Sequence, residues 1–126
     1  MPSLFLKKWR IKKLNLNVET LKRGENELNI EIGFSILVSK KENAEDGKVI
    51  IEAVFTADKD IPFFVITYES IFEFNDSHVN VEQKNEILRK EGVCETYLKL
   101  IEYVDKFMDM SQLKKLPFPD VSEINE

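Results

Sequence analysis

The chain has 126 residues, of which 43% are hydrophobic and 33% charged, with only four glycines and four prolines. A chain of this size can bury a core without disulfides or metals, and its composition excludes collagen-like, low-complexity and fully disordered proteins. No apolar stretch approaches the roughly 20 residues of a membrane-spanning helix, and the first residues lack the pattern of a secretory signal. A single cysteine cannot form an internal disulfide, which favours a cytoplasmic protein. Together with the lack of a long apolar stretch, this predicts a protein without membrane insertion.

Positive charge is concentrated at the start of the chain. Residues 1–23 hold seven basic side chains and one acidic one, a net charge of +6, so the remaining residues carry −11 of the total of −5. One interpretation is a basic patch that binds an acidic partner or an RNA. The alternative is the solvated face of an edge strand, where cations discourage aggregation between sheets. The acidity of the whole chain argues against nucleic-acid binding.

The first predicted strand has two irregularities. Between residues 4 and 18, apolar and polar side chains alternate, as in a half-buried strand. The alternation changes phase between Leu6 and Trp9 and again between Ile11 and Leu14. An extra residue at each phase change forms a β-bulge, so we expect a bent or bulged strand.

The next two strands are predicted to form a hairpin. Residues 28–39 alternate strictly apart from Leu37, and residues 48–57 are rich in β-branched side chains. Ile50 and Val54 lie on the second face of residues 48–57, which predicts a strand covered on both sides. The charged link at 40–47 ends in Asp-Gly, a pair typical of hairpin turns.

Residues 61–74 form the fourth predicted strand. Pro62 has no backbone N–H and fits a strand only as its first residue, and residues 58–60 before it predict a turn. Residues 75–80 have no regular pattern and are predicted to cross from the sheet to the helices.

From residue 81 the apolar period becomes helical. Residues 81–91 contain no turn former, and Gly92 suits the position that follows a helix end. Residues 94–110 carry apolar side chains at helical spacing from Tyr97 to Met108. Pro117 and Pro119 exclude a continuing helix, and the residues after them predict at most one terminal turn.

This order of elements predicts an α+β fold in a single domain over residues 1–126. A four-stranded antiparallel sheet occupies about residues 4–74, a crossover loop 75–80, and a helical part 81–126. The helical part contains one long helix and one or two short ones, packed on one face of the sheet.

No constellation of catalytic or metal-ligating residues is evident in the sequence. His78 is predicted in the crossover loop without a rigid partner, and Cys94 at the start of the long helix without a neighbouring base. Both are interpreted as ordinary exposed or half-buried residues. The sequence also lacks the short motifs of phosphate, dinucleotide, calcium, zinc-protease and serine-hydrolase sites. We therefore expect no enzyme, no metal site and no cofactor.

Aromatic residues are concentrated around the fourth strand. Five of the nine phenylalanines lie between residues 55 and 74. Phe64 and Phe63 point to opposite faces of this strand, so one face can pack on the helices while the other needs a different partner. Two partners remain open: another subunit, or an extended polypeptide bound along the sheet.

Residues 63–119 resemble the export chaperone SecB and its relatives. The resemblance rests on the collinear segments FFVITYESIFEF, EILRKEGVCETYLKLIEYVDKF and LKKLPFP. Residues 69–72 correspond to the Gly-x-Phe-like aromatic motif of the fourth strand, residues 93–95 to the Cys-Pro-like helix entry, and residues 116–119 to a Leu/Pro-rich segment. The N-terminal half agrees in its strand pattern only.

The resemblance implies a chaperone that holds unfolded or aggregation-prone polypeptide in a hydrophobic groove without ATP, and that assembles as a dimer or tetramer. The groove residues expected on this basis are Trp9, Phe72, Phe74, Tyr97 and Phe118, with core packing as the alternative for each. Trp9 lies at a phase change and Phe118 between two prolines, so packing within the chain explains these two least. The alternative function is a non-enzymatic structural or adaptor protein of the same fold that binds one specific partner.

The first strand departs from the SecB pattern. Arg10, Lys12 and Lys13 occupy the region in which SecB offers acidic residues to the SecA motor. A basic strand is expected to repel a basic motor tail, which speaks against docking to SecA. This departure favours the relatives paired with toxin–antitoxin modules, or solitary and phage-borne members, over a role in protein export.

Overall fold

Four strands followed by helices make up the fold. The computed structural model describes residues 3–17, 28–38, 45–57, 62–76 and 79–124. The strands are β1 (Leu4–Leu16), β2 (Asn29–Val38), β3 (Asp46–Thr56) and β4 (Pro62–Phe74), and the helices are α1 (Val81–Ile87), α2 (Val93–Met110) and α3 (Val121–Ile124). The predicted turn at 58–60 and His78 lie outside the described residues.

The strands form one antiparallel sheet in the order β1-β4-β3-β2. The predicted α+β class is confirmed, and β2 and β3 pair as the predicted hairpin. Asp46 and Gly47, however, belong to β3 and face β4, so the prediction that they form the turn is wrong. A Cβ on Gly47 would lie 2.7 Å from Leu88 Cδ1 and 2.9 Å from Phe74 Cζ. Close packing under the helices therefore accounts for this glycine.

The strand β1 is bulged at both predicted phase changes. Its register against β4 shifts between Leu6 and Lys8 and again between Ile11 and Lys13. Each extra residue returns the apolar side chains to the side of the sheet that faces the helices. The residues on this side are Leu4, Leu6, Trp9, Ile11, Leu14 and Leu16.

The helices α1 and α2 form one continuous rod, joined by a π-helical turn over Leu88–Gly92. The rod begins with a capping box: the Asn80 side chain accepts from the Gln83 N–H at 2.8 Å, and the Gln83 side chain accepts from the Asn80 N–H at 3.2 Å. Gly92 has helical dihedral angles, so the prediction that a helix ends there is wrong. For the same reason Cys94 lies within the rod and not at a helix start.

Contact with β3 explains why a glycine lies within the rod. A Cβ on Gly92 would lie 3.1 Å from Val49 Cγ2 and 3.2 Å from Leu88 Cδ2, and both of these side chains are fully buried. The missing side chain lets the rod approach the sheet closely. The extra residue of the π-helical turn also brings Leu88 and Val93, five positions apart, onto the same buried side.

The core lies between the helices and one face of the sheet. On this face Val49, Ile51, Ala53 and Phe55 of β3 are fully buried. The opposite face of the sheet, which we call the far face, is not covered by the described residues. Ile50 and Val54 are only half-buried there and Glu52 is exposed. The prediction that β3 is covered on both sides is therefore wrong for the single chain.

Candidate functional site

Trp9 is the most exposed aromatic side chain on the helix-facing side of the sheet. It lies between the two bulges of β1, opposite the buried Ser70 of β4. Its ring stacks on Tyr68 with centroids 5.5 Å apart and planes at 7°, and Tyr103 of α2 meets it edge-on at 6.0 Å. Despite both contacts, 49% of Trp9 remains exposed. The ring is thus held in one orientation while half of its surface faces solvent.

A row of aromatic and aliphatic side chains continues from Trp9 along β1. Tyr103 and Phe107 lie one turn apart on α2, and Phe107 stacks on Phe64 of β4 at 6.0 Å. Beside them, β1 contributes further partly buried aliphatic side chains. We call this row the aromatic edge; its members are Trp9, Ile11, Leu14, Leu16, Tyr68, Tyr103 and Phe107.

Phe118 lies in the C-terminal segment, over a different part of the core. Its ring meets Phe55 edge-on at 5.2 Å and Tyr97 at 6.0 Å. The Tyr97 hydroxyl donates a 2.6 Å hydrogen bond to the carbonyl oxygen of Pro119. Residues 113–120 have no regular secondary structure, and Leu113 and Leu116 are partly buried against the core. This segment therefore covers Phe55 and Tyr97 through side-chain packing and one strong hydrogen bond.

Burial changes the chemistry of the two tyrosines in these clusters. It raises the pKa of Tyr97 to about 12, with the nearby carboxylates of Glu123 and Asp120 adding to the effect. Burial also raises the pKa of Tyr68, assisted by the charge of Glu102. Both hydroxyls stay neutral at physiological pH, so they contribute hydrogen bonding and apolar surface and no charge.

The structure divides the five predicted groove residues into two sets. Phe72, Phe74 and Tyr97 are at most 4% exposed and form part of the core under the helices. In this conformation they offer no surface to another molecule. Trp9 is half exposed and Phe118 is partly buried. These two lie apart, Trp9 over β1 and β4 and Phe118 over β3, and so do not line a single groove.

Among the described residues, five large apolar side chains besides Trp9 are exposed and were not expected to be so from the sequence. Leu28 directly precedes β2, Phe5 and Leu37 lie on the far face, and Leu98 and Met110 lie on α2. Leu37 carried a signal, because it is the one exception to the alternation of its strand. Leu98 falls on the polar side of the helical pattern, where an isolated leucine gives no signal of its own.

The described residues contain no group of three or more His, Cys, Asp or Glu side chains that could hold a metal ion. Cys94 is free and partly buried on α2. None of the helices in the described ranges is long and apolar enough to cross a membrane.

Neither protein-family models nor curated protein sequences gave a match to this chain. Among solved structures, the chain is similar to the Mycobacterium tuberculosis SecB-like chaperone Rv1957, which was solved in complex with a ChAD peptide from the Rv1956 HigA1 antitoxin. The TM-score is 0.67 at 11% sequence identity, and the match covers 93% of this chain and 86% of that chain. This chain therefore has a SecB-like fold, as the resemblance in its C-terminal half predicted.

Proposed function

We propose that this chain is an ATP-independent chaperone that holds unfolded or aggregation-prone polypeptide against the aromatic edge. The observation that carries the proposal is the half-exposed Trp9, which Tyr68 and Tyr103 hold on the helix-facing side of the edge strand β1. The similarity to a chaperone solved with a bound peptide supports the same class of ligand. The proposal includes a cytoplasmic homo-oligomer, either a dimer or a tetramer.

The aromatic edge would bind clients through apolar burial. A tryptophan side chain buries up to roughly 250 Å², so the exposed half of Trp9 represents on the order of 100 Å². At about 25 cal/mol per Å² this area is worth up to about 2.5 kcal/mol for a client that covers it. Because the ring is already ordered by its two aromatic contacts, little side-chain entropy is lost on binding.

The C-terminal segment would control a second apolar surface. Phe118 covers Phe55 and Tyr97, and the Tyr97–Pro119 hydrogen bond holds the segment in place. Release of this segment would expose Phe55 and Tyr97 to a client, whereas Phe72 and Phe74 would remain in the core. In this proposal Trp9 is the first contact, and Phe118 belongs to a displaceable cover.

Suppression of aggregation tests the proposal. The purified chain is mixed with a chemically denatured model substrate without nucleotide, and light scattering is recorded. We expect suppression at stoichiometric ratio, and client affinity about tenfold lower in Trp9→Ala. Phe5→Ala is the matched control, because Phe5 is equally exposed on the same strand but points to the far face; its affinity should stay within about twofold of wild type.

Two results would contradict the proposal. One is undiminished aggregation at a fourfold excess of the chain; the other is a Trp9→Ala protein that is folded and holds clients as well as wild type.

An adaptor with one specific partner is the alternative function, and the antitoxin peptide bound to the similar structure favours testing it. A panel of unrelated denatured substrates separates the two functions, because only a general chaperone captures many of them. Light-scattering mass decides between dimer and tetramer.

A further inference from the structure

Positive charge converges on the far face, where β1, β4 and β3 lie side by side. Lys8 and Lys48 flank Ile71 of β4 from the two neighbouring strands, and in the next row Arg10 lies opposite Glu69. Lys12, at the second bulge, reaches the same carboxylate. We call Lys8, Arg10, Lys12 and Lys48 the basic cluster; with Glu69 it carries a net charge of +3.

Glu69 organises the basic cluster from below. The carboxylate is 1% exposed, and Arg10 Nε donates to its Oε1 at 2.7 Å. Lys48 Nζ and Lys12 Nζ lie 3.5 and 3.7 Å from Oε2, which has no hydrogen-bond donor among the described residues. Burial alone would raise the pKa of Glu69, but the hydrogen bond from Arg10 and the three positive charges outweigh it and lower the pKa. Glu69 is therefore a fixed anion at physiological pH.

Neutralising one buried carboxylate requires one cation, yet three converge here. The side chains of Arg10, Lys12 and Lys48 are 65%, 41% and 34% exposed, so their charge also faces solvent. In the described part of the chain, Arg10 bonds to Glu69 through Nε alone, and the terminal nitrogens of a guanidinium can bind a further carboxylate. Lys8, Arg10 and Lys48 also line a concavity of about 200 Å³, together with Trp9, Glu69 and Ile71. The site is thus pre-ordered and has excess positive charge.

We propose that the basic cluster docks an acidic segment of a partner polypeptide in extended conformation. Lys8 and Arg10 lie on the same face of β1 about 7 Å apart, which matches carboxylates at alternate positions of an extended chain. The half-buried Ile71 lies between Lys8 and Lys48, and the half-buried Ile50 lies beside Glu69 on β3. Both suit apolar side chains of the same segment. Bulges on both sides of Trp9 disturb the β1 edge, so recognition rests on side chains and not on strand addition.

The surroundings favour polypeptide over nucleic acid. A nucleic acid needs a continuous basic track that follows its phosphates. Here exposed carboxylates interrupt the track: Glu73 follows in β4, Glu52 lies further along β3, and Asp46 pairs with Lys7 at 3.2 Å. The docking site lies on the face opposite the aromatic edge, so it stands independently of the client-binding proposal.

Fluorescence anisotropy with a defined peptide tests the inference. The probe is a fluorescein-labelled peptide with glutamate at alternate positions and leucine or alanine between them; the matched peptide carries glutamine instead. We expect wild type to bind the glutamate peptide at least about tenfold more tightly than the glutamine peptide, and binding to weaken between roughly 50 and 300 mM NaCl as the charges are screened. Arg10→Glu/Lys48→Glu should weaken binding by at least about tenfold.

A second variant and a control separate docking from folding. Lys8→Glu/Lys13→Glu reverses two charges on the far face. Among the described residues neither lysine forms an ion pair with Glu69, so this variant leaves the Glu69 contacts in place, and it should also bind the glutamate peptide several-fold more weakly. Lys99→Glu/Lys114→Glu makes the same net-charge change on the helical side and should stay within about twofold of wild type. Urea unfolding confirms that each variant is folded. The inference is overturned if both far-face variants bind like the control, if the glutamine peptide binds equally well, or if fluorescein-labelled dodecathymidylate binds more tightly than the glutamate peptide.

Discussion

Replacing Gly47 by alanine tests the close approach of the helices to β3. The new Cβ would lie 2.7 Å from Leu88 Cδ1 and 2.9 Å from Phe74 Cζ, distances that require these side chains to move. Leu88 is fully buried and Phe74 is 4% exposed, and overpacking such a site costs about 1–3 kcal/mol. Alanine recovers about 0.5–1 kcal/mol of the conformational entropy that glycine loses in a strand. We therefore expect a net loss of about 1–2 kcal/mol in the free energy of unfolding.

Gly33 provides a matched control for this substitution. It also lies in a strand, β2, but no heavy atom lies within 4 Å of the position that a Cβ would take, so alanine should stabilise the chain by about 0.5–1 kcal/mol. Urea unfolding monitored by the fluorescence of Trp9, the single tryptophan, measures both effects. In thermal unfolding each kcal/mol corresponds to about 3–6 °C for a chain of this length. A Gly47→Ala protein as stable as Gly33→Ala would refute the packing argument.

Two further predictions concern the C-terminal segment and pH. Tyr97→Phe removes the hydrogen bond to Pro119 and should lower the free energy of unfolding, measured by urea titration, by about 1 kcal/mol. Tyr103→Phe is the control and should change this free energy little, because the Tyr103 hydroxyl has no partner among the described residues. Equal effects of the two substitutions would contradict this role for Tyr97. Because the folded-state pKa of Glu69 lies below its ordinary 4.5, this carboxylate contributes its full stability above pH 4.5 and loses it as the pH falls through the folded-state value. Tyr97, with its pKa raised from 10.0 to about 12, contributes fully below pH 10 and loses its contribution as the pH rises towards 12. Unfolding titrations across pH should show both losses. Glu69→Gln should reduce the acidic one, to which Glu86 and Asp120 also contribute because their pKa values are lowered too; a variant with the wild-type acidic slope would exclude Glu69 as a source.

Strand periodicity made the sheet predictable from sequence. Apolar alternation located all four strands, and the two phase changes in the first strand located both bulges of β1. These features were accessible because side-chain direction along a strand depends only on local sequence. The turn assigned to Asp46-Gly47 was wrong because a glycine is required in two situations, in a tight turn and where no side chain fits. At Gly47 the lack of space is the reason, and it is caused by Leu88, which is far away in sequence.

The helical rod shows a signal that was present but misread. Buried apolar side chains follow at steps of three or four residues from Val93 through Tyr97, Leu100 and Val104 to Met108, but the step between the apolar side chains of Leu88 and Val93 is five, with the buried Gly92 between them. A five-residue step is the spacing of a π-helical turn, whereas Gly92 beside it suggested a helix end. Local propensity favoured termination, and packing against Val49 favoured continuation.

The candidate site was only partly accessible from sequence. Periodicity gives the face on which Phe72, Phe74 and Tyr97 lie, but the extent to which α2 and the C-terminal segment cover that face depends on tertiary packing. Trp9 was proposed for a local reason, its position at a phase change, and the structure leaves it half exposed. The convergence of Arg10, Lys12 and Lys48 on Glu69 joins three strands and has no local signature.

The two bulges of β1 enclose a stretch of four residues, 8–11, that serves both sides of the sheet. Trp9 and Ile11 point towards the helices, while Lys8 and Arg10 point the other way. Neighbouring codons therefore specify two unrelated surfaces separated by a single backbone thickness. A point change can alter one surface without disturbing the other, whereas a one-residue insertion or deletion that no further bulge absorbs would exchange the two sets of side chains and abolish both surfaces at once.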